Sequence, residues 1–154
     1  MIEISRTIST TAPPPKVMEW FMHFDEHYVD MWPEAHKEYR YTSEGPPLVG
    51  TTFRFVQEVK GHSRPMTGVI TKIEPTGFEW KMKPLPLMGG GYRFRPLEDG
   101  GTEITQTILY GPTWPVLGAL VTWIMERLIM PRATLEEFVE EEMAKLKQAL
   151  EAGA

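Results

Sequence analysis

The sequence predicts an α+β fold in which a curved antiparallel sheet of about seven strands wraps a long C-terminal helix, with two short helices after the first strand. Three observations predict it. Residues 2–9 alternate Ile2, Ile4 and Ile8 with polar neighbours, the period of two that marks a half-buried strand. Between residues 37 and 110, short alternating runs are separated by clusters of Gly, Pro, Asp and Glu. These breaks are too brief for helical crossovers, so successive strands pair as hairpins and the sheet is antiparallel. Beyond Trp114 the period changes from that of a strand to that of a helix.

The elements follow in order. Thr10 and Thr11 precede Pro13, Pro14 and Pro15, and a threonine cap with proline in the first turn starts a helix whose apolar face is Val17, Trp20 and Phe21. A second short helix spans 23–32, with Phe24, Tyr28 and Met31 on one stripe and Pro33 at its end. Strands are expected over 37–42, 51–59, 66–73, 76–82, 91–95 and 102–110, and in the second of these Phe53 and Phe55 share a face. Gly61, His62 and Ser63 read as a hairpin tip. The segment from Lys83 to Gly91 is apolar, stiffened by Pro84 and Pro86 and ended by glycines. Leu85, Leu87 and Met88 are costly to expose unless they cover a pocket mouth, so the segment is a candidate lid.

From Trp114 to Met130 nearly every position is apolar, which predicts a helix with no solvent face, packed in the concavity of the sheet. After Pro131 the pattern becomes amphipathic, with Leu135, Phe138, Val139, Met143, Leu146 and Leu150 spaced by threes and fours.

Composition narrows the function classes. The chain of 154 residues is read as one domain, 1–154. Its 16 basic and 21 acidic side chains give a net charge of −5, so it lacks the basic excess that displaces counterions from a phosphate backbone, and nucleic acid is excluded as a partner. Without cysteine there are no disulfides, thiolate metal sites or cysteine nucleophiles, which fits a cytoplasmic protein. The N-terminal MIEISRTIST is polar and alternating, as a strand and not as a leader. The apolar run from Trp114 is broken by Glu126, short of the ~18 residues a membrane span requires.

The stretches TAPPPKVMEWF, LVGTTFRFVQEVKG and GGTEITQTILYG, in this order and spacing, resemble the helix-grip fold of the START and polyketide cyclase superfamily, called SRPBCC. The resemblance covers nearly the whole chain. It implies an apolar cavity between sheet and C-terminal helix that holds a hydrophobic small molecule, whether lipid, aromatic or polyketide-like, with no cofactor expected. The walls expected for that cavity are Trp20, Phe24, Tyr28, Trp32, Phe53, Phe55, Trp80, Met82, Leu87, Tyr92, Gln106, Leu117, Leu120, Val121 and Ile124. Met18, Met22, Met31, Met66, Met88, Met125, Met130 and Met143 add adaptable apolar surface, mostly on faces expected to point inward.

A narrower resemblance concerns chemistry. The string YVDMWPEAHKEY is similar to a segment of the diacetylphloroglucinol-hydrolase-like branch, zinc enzymes that cleave a carbon–carbon bond of an acylated phenol. Carried over, it implies a metal set of His36, Glu58 and Glu142. Phe138 stands where that branch has a helix histidine, so the zinc ligand set is incomplete. Without metal, His36 and Glu58 form a candidate acid–base pair for a cyclase or dehydratase if Glu58 points inward; strict alternation sets it opposite Phe53 and Phe55. His23 and His27, four apart beside Glu26 and Asp30, read as a solvated helix face. No phosphate loop, nucleophile elbow or HExxH string occurs. The leading expectation is therefore a binding module or carrier, with a cyclase, dehydratase or metal-dependent hydrolase as the alternative. A homodimer that covers residues 114–130 is the third.

Overall fold

β1 (Ile2–Thr10) turns through Pro13 into α1 (Pro14–Met22), and α2 (Phe24–Met31) follows after the single residue His23 in the computed structural model, which describes residues 1–153. Pro14 sits where a helix has no use for a backbone N–H, which is why a triple proline opens α1 instead of breaking it. Phe24, Tyr28 and Met31 of α2 are buried as expected, and of the expected α1 face Val17 and Phe21 are buried while Trp20 is half-buried.

Six strands come next: β2 (His36–Tyr41), β3 (Thr52–Val59), β4 (His62–Glu74), β5 (Gly77–Met82), β6 (Met88–Pro96) and β7 (Thr102–Tyr110). With β1 they form one antiparallel sheet in the order β1-β7-β6-β5-β4-β3-β2. The first and second strands are thus the two edges, and α1 and α2 carry the chain from one edge to the other. The chain ends in α3 (Gly118–Leu128) and α4 (Arg132–Ala152). α4 lies along the sheet from the β1 side, and α2 packs on β2. Leu135, Val139, Met143, Leu146 and Leu150 of α4 are buried, each stabilising the fold by roughly 1.5–3 kcal/mol relative to exposure. No helix among the described residues is long and apolar enough to cross a membrane. This is the helix-grip arrangement the sequence predicts.

Three expectations need correction. The β3–β4 turn is Lys60-Gly61, both with positive φ as a two-residue type I′ hairpin turn requires, so His62 and Ser63 are strand and not tip. β6 begins at Met88 and not at residue 91, because Gly89, Gly90 and Gly91 pair in register with both β5 and β7. Only residues 83–87 remain loop, with Leu85 exposed and Leu87 and Met88 turned inward.

The third correction concerns residues 114–130, expected to be surrounded by apolar groups. α3 turns only Gly118, Thr122 and Met125 into the protein. Its opposite face and the turn before it meet solvent: Leu128 is 78% and Trp123 57% exposed, with Leu120 and Ile124, and Val116 (86%) and Leu117 precede them in the turn. The reason is geometric. α4 already occupies the concavity, so the 11-residue α3 lies over its open end with one face in and one face out.

The glycines of β6 are required by close approach. A Cβ on Gly91 would collide with the Phe78 carbonyl oxygen of β5. Gly91→Ala is therefore expected to lower unfolding free energy by about 2 kcal/mol or more, read from denaturant midpoints; an unchanged midpoint contradicts this packing.

Candidate functional site

Between the concave face of the sheet and α3–α4 lies a cavity of about 380 Å³. Alternation on the strands decides its walls. Phe53 and Phe55 of β3, Trp80 and Met82 of β5, Tyr92 of β6 and Ile108 of β7 point into it, with Phe24 and Tyr28 from α2. Met125 of α3 and Leu135, Phe138 and Val139 of α4 close the other side. Aromatic rings meet at tilted and edge-to-face angles, as between Phe55 and Trp80 with centroids 5.7 Å apart. Ser63 and Pro65 of the β3–β4 hairpin and Ile129 after α3 are the solvent-exposed lining residues, so the mouth opens between that hairpin and the end of α3.

The inner end is polar. Glu142, the one charged residue on the buried stripe of α4, is 5% exposed. Its Oε2 accepts a hydrogen bond from Gln106 Nε2 at 2.9 Å, and the same amide nitrogen donates to the Tyr92 hydroxyl at 2.9 Å. Its Oε1 lies 3.0 Å from Nε2 of the fully buried His36. On the other side of the ring, His36 Nδ1 is 2.8 Å from the Tyr28 carbonyl oxygen, which only accepts, so Nδ1 donates there. Nε2 makes no hydrogen bond to the carboxylate despite this approach. The Tyr28 ring stacks flat on the imidazole, with centroids 3.8 Å apart and planes 1° from parallel. His36 is held on three sides and stands behind Tyr28 and Glu142 instead of lining the cavity.

Three polar atoms of cavity-lining residues have no close hydrogen-bond partner: Gln106 Oε1, Arg64 Nε and the Tyr28 hydroxyl, which has the Gln57 side chain beside it. Buried groups left unpaired cost about 1–3 kcal/mol each, so a polar atom placed beside them is rewarded.

The expected wall residues divide cleanly. Phe24, Tyr28, Phe53, Phe55, Trp80, Met82, Leu87, Tyr92 and Gln106 line the cavity. Trp20 does not, since it lies on an outer groove with its ring stacked on His27. Trp32 is buried against Phe138 and His36. Leu120 and Ile124 are on the outer face of α3, Leu117 is exposed just before it, and Val121 is half-buried beside them. Sequence reasoning missed Tyr39, Gln57, Arg64, Phe78, Ile108, Phe138 and Val139. For Gln57 a signal existed, because it shares the parity of Phe53 and Phe55.

Glu58 is the main correction. It is exposed on the outer face of β3, as alternation requires, and cannot pair with the buried His36. Glu142 takes that place. The zinc set His36, Glu58 and Glu142 is not assembled, and the described residues contain no group of three His, Asp or Glu that could hold a metal. The residues present do not fit a zinc centre, since His36 and Glu142 contact each other and Phe138 supplies no third donor.

Fold and site together define a helix-grip protein with an apolar cavity and a polar inner end. The model of the family described as polyketide cyclase / dehydrase and lipid transport matches residues 1–151, and the chain belongs to that family. It is similar in structure to a Thermus thermophilus protein, at TM-score 0.71 and 18% identity over 99% of both chains. It is also similar to an aromatase/cyclase from a Streptomyces species, at TM-score 0.70 and 19% identity over 99% of this chain and 92% of that one. A major latex-like protein of Panax ginseng aligns at TM-score 0.71 and 11% identity, over 96% and 95%. No curated protein matches the chain in sequence.

The site also sets a pH dependence. Burial first, and the Glu142 charge second, push the Tyr28 and Tyr92 hydroxyls well above the ordinary phenol range; burial does the same to Tyr39, and raises Tyr41 to about 12. The native state keeps protons that the unfolded chain releases from about pH 10, so their stabilisation is present below that pH and is lost as pH rises above it. A phenolate absorbance titration should show Tyr28, Tyr39 and Tyr92 silent until the protein unfolds. All five tyrosines ionising together near pH 10 in folded protein is the contrary result.

Proposed function

We propose that the protein binds one hydrophobic small molecule with an oxygen-bearing polar group, such as a hydroxylated aromatic or polyketide-like compound, and acts as its carrier or binding module. The observation that carries this reading is the cavity of about 380 Å³ with aromatic and methionine walls, into which the Tyr28 hydroxyl and Gln106 Oε1 bring unpartnered polar atoms. An apolar wall alone selects weakly among ligands of similar size. A buried polar group that needs a partner selects strongly, because a ligand without that partner leaves it unpaired. Membership of a family described by cyclisation, dehydration and lipid transport supports the same class of ligand.

A second reading is acid–base turnover of a carbonyl-bearing ligand, favoured by the placement of Glu142 and Tyr28 in the cavity wall with His36 behind them. Glu142 and Tyr28 would exchange protons with the ligand, and His36 would position them. The Streptomyces neighbour is itself an aromatase/cyclase. Dehydration of a β-hydroxyketone that slows about a hundredfold in Glu142→Gln distinguishes turnover from carriage.

The test of binding is uptake of the neutral probe N-phenylnaphthylamine. One probe per chain is expected, with enhanced fluorescence, and displacement by naphthol. Ile108→Trp, which places an indole in the cavity from the centre of β7, should abolish uptake while the circular dichroism spectrum is kept. No uptake by the parent protein, or undiminished uptake by the folded variant, refutes the reading.

A further inference from the structure

The cavity has a second polar feature, at its mouth. Arg64 on β4 lies directly opposite Gln57 on β3, so the two side chains share a face and both line the cavity. The guanidinium reaches across the mouth, and its Nη2 donates to the Ile129 carbonyl oxygen at 2.7 Å. Its Nε is buried and has no hydrogen-bond partner. Among the described residues no carboxylate oxygen lies within ion-pair distance of Arg64; Arg6, Arg93 and Arg127 also lack one, but none of those three lines the cavity. A chain of net charge −5 thus keeps one arginine at the rim of an apolar cavity without a carboxylate partner.

Electrostatics gives the cavity a direction. The inner end holds the Glu142 carboxylate, which repels an anion, and the mouth holds a cation with a free N–H, which attracts one. An arginine fork offers parallel donors that match a carboxylate, and the apolar surroundings strengthen the contact.

We propose that Arg64 is a recognition residue for an anionic group, so that the ligand class is an amphiphilic aromatic acid bound with its carboxylate at the mouth and its hydroxyl towards Gln106 and Tyr28. This rests on the cavity-binding reading above and adds orientation and charge to it. It also makes the bridge from Arg64 to Ile129 a contact that the incoming anion shares or replaces, tying occupancy of the mouth to the end of α3.

The experiment compares hydroxynaphthoate with hydroxynaphthamide, which have nearly the same shape and differ in charge, by calorimetry on the full chain and on Arg64→Gln and Arg64→Lys. The parent protein should bind the acid about tenfold more tightly than the amide, a ratio expected of one charge-assisted contact. That ratio should fall to about one in Arg64→Gln and lie between in Arg64→Lys, which keeps the charge without the fork. Equal affinities in the parent protein overturn the assignment while leaving the cavity reading intact, and so does an undiminished ratio in Arg64→Gln. Should Arg64→Gln bind neither compound, the Arg64→Lys ratio decides, an unchanged value overturning the assignment of the fork. Failure of both compounds to bind the parent protein removes the cavity reading and this one with it.

Discussion

A single buried carboxylate organises the interior. Glu142 sits on the apolar stripe of α4, where an isolated charge is far too costly to persist unless donors surround it. Its neighbours come from far apart in the chain: Gln106, which donates to it, from β7 near one side of the sheet, and His36, whose Nε2 lies 3.0 Å from it, from the start of the opposite edge strand. The two can meet Glu142 together only if the sheet curls and α4 lies in its concavity at one register. Removing Glu142 would leave the Gln106 donor and the His36 ring without their anchor, whereas replacing all three by hydrocarbon would fill the space at little cost. The network therefore argues for placement of groups more than for gross stability.

The cavity follows from the same constraint. α4 packs on β1 and on α2, at the ends of the sheet, and the middle strands β4 to β6 face it across the cavity. Their inward side chains are large aromatics and methionines that line the gap without closing it. Glycines 89–91 let β6 pass tightly between β5 and β7. α3 then covers the open end with one face, and the apolar residues of its other face are left in solvent because the inside is already taken.

Much of this was legible in the residues. Periods of two and of 3.6 located all seven strands and the helices, and proline and glycine clusters located many of their ends, though not the starts of β4 and β6. Three features were not. The glycine run before Tyr92 reads as loop by propensity, yet tertiary pairing makes it strand. The stretch 114–130 carries only Thr122, Glu126 and Arg127 as polar residues, and Thr122 turns inward, so the pattern marked no continuous outer face. Glu58 and Gln57 were separable by parity, since Phe53 and Phe55 had already fixed which face of β3 turns inward. Glu142 was marked as well, because it falls three residues after Val139 and four before Leu146 on the buried stripe. The Arg64 position depended on the two-residue turn at Lys60-Gly61, which sets the register of β4 and was placed one step too late by composition.

The central claim is that the unpartnered polar atoms at the inner end of the cavity choose the ligand. The most direct measurement is the affinity of naphthol against methylnaphthalene, two molecules of matched shape that differ by one hydroxyl, each read by competition with a bound fluorescent probe. A hydroxyl that satisfies Gln106 Oε1 or the Tyr28 hydroxyl should strengthen binding by about tenfold. Equal affinities, or tighter binding of methylnaphthalene, would mean that the polar end plays no part in recognition and would contradict the account.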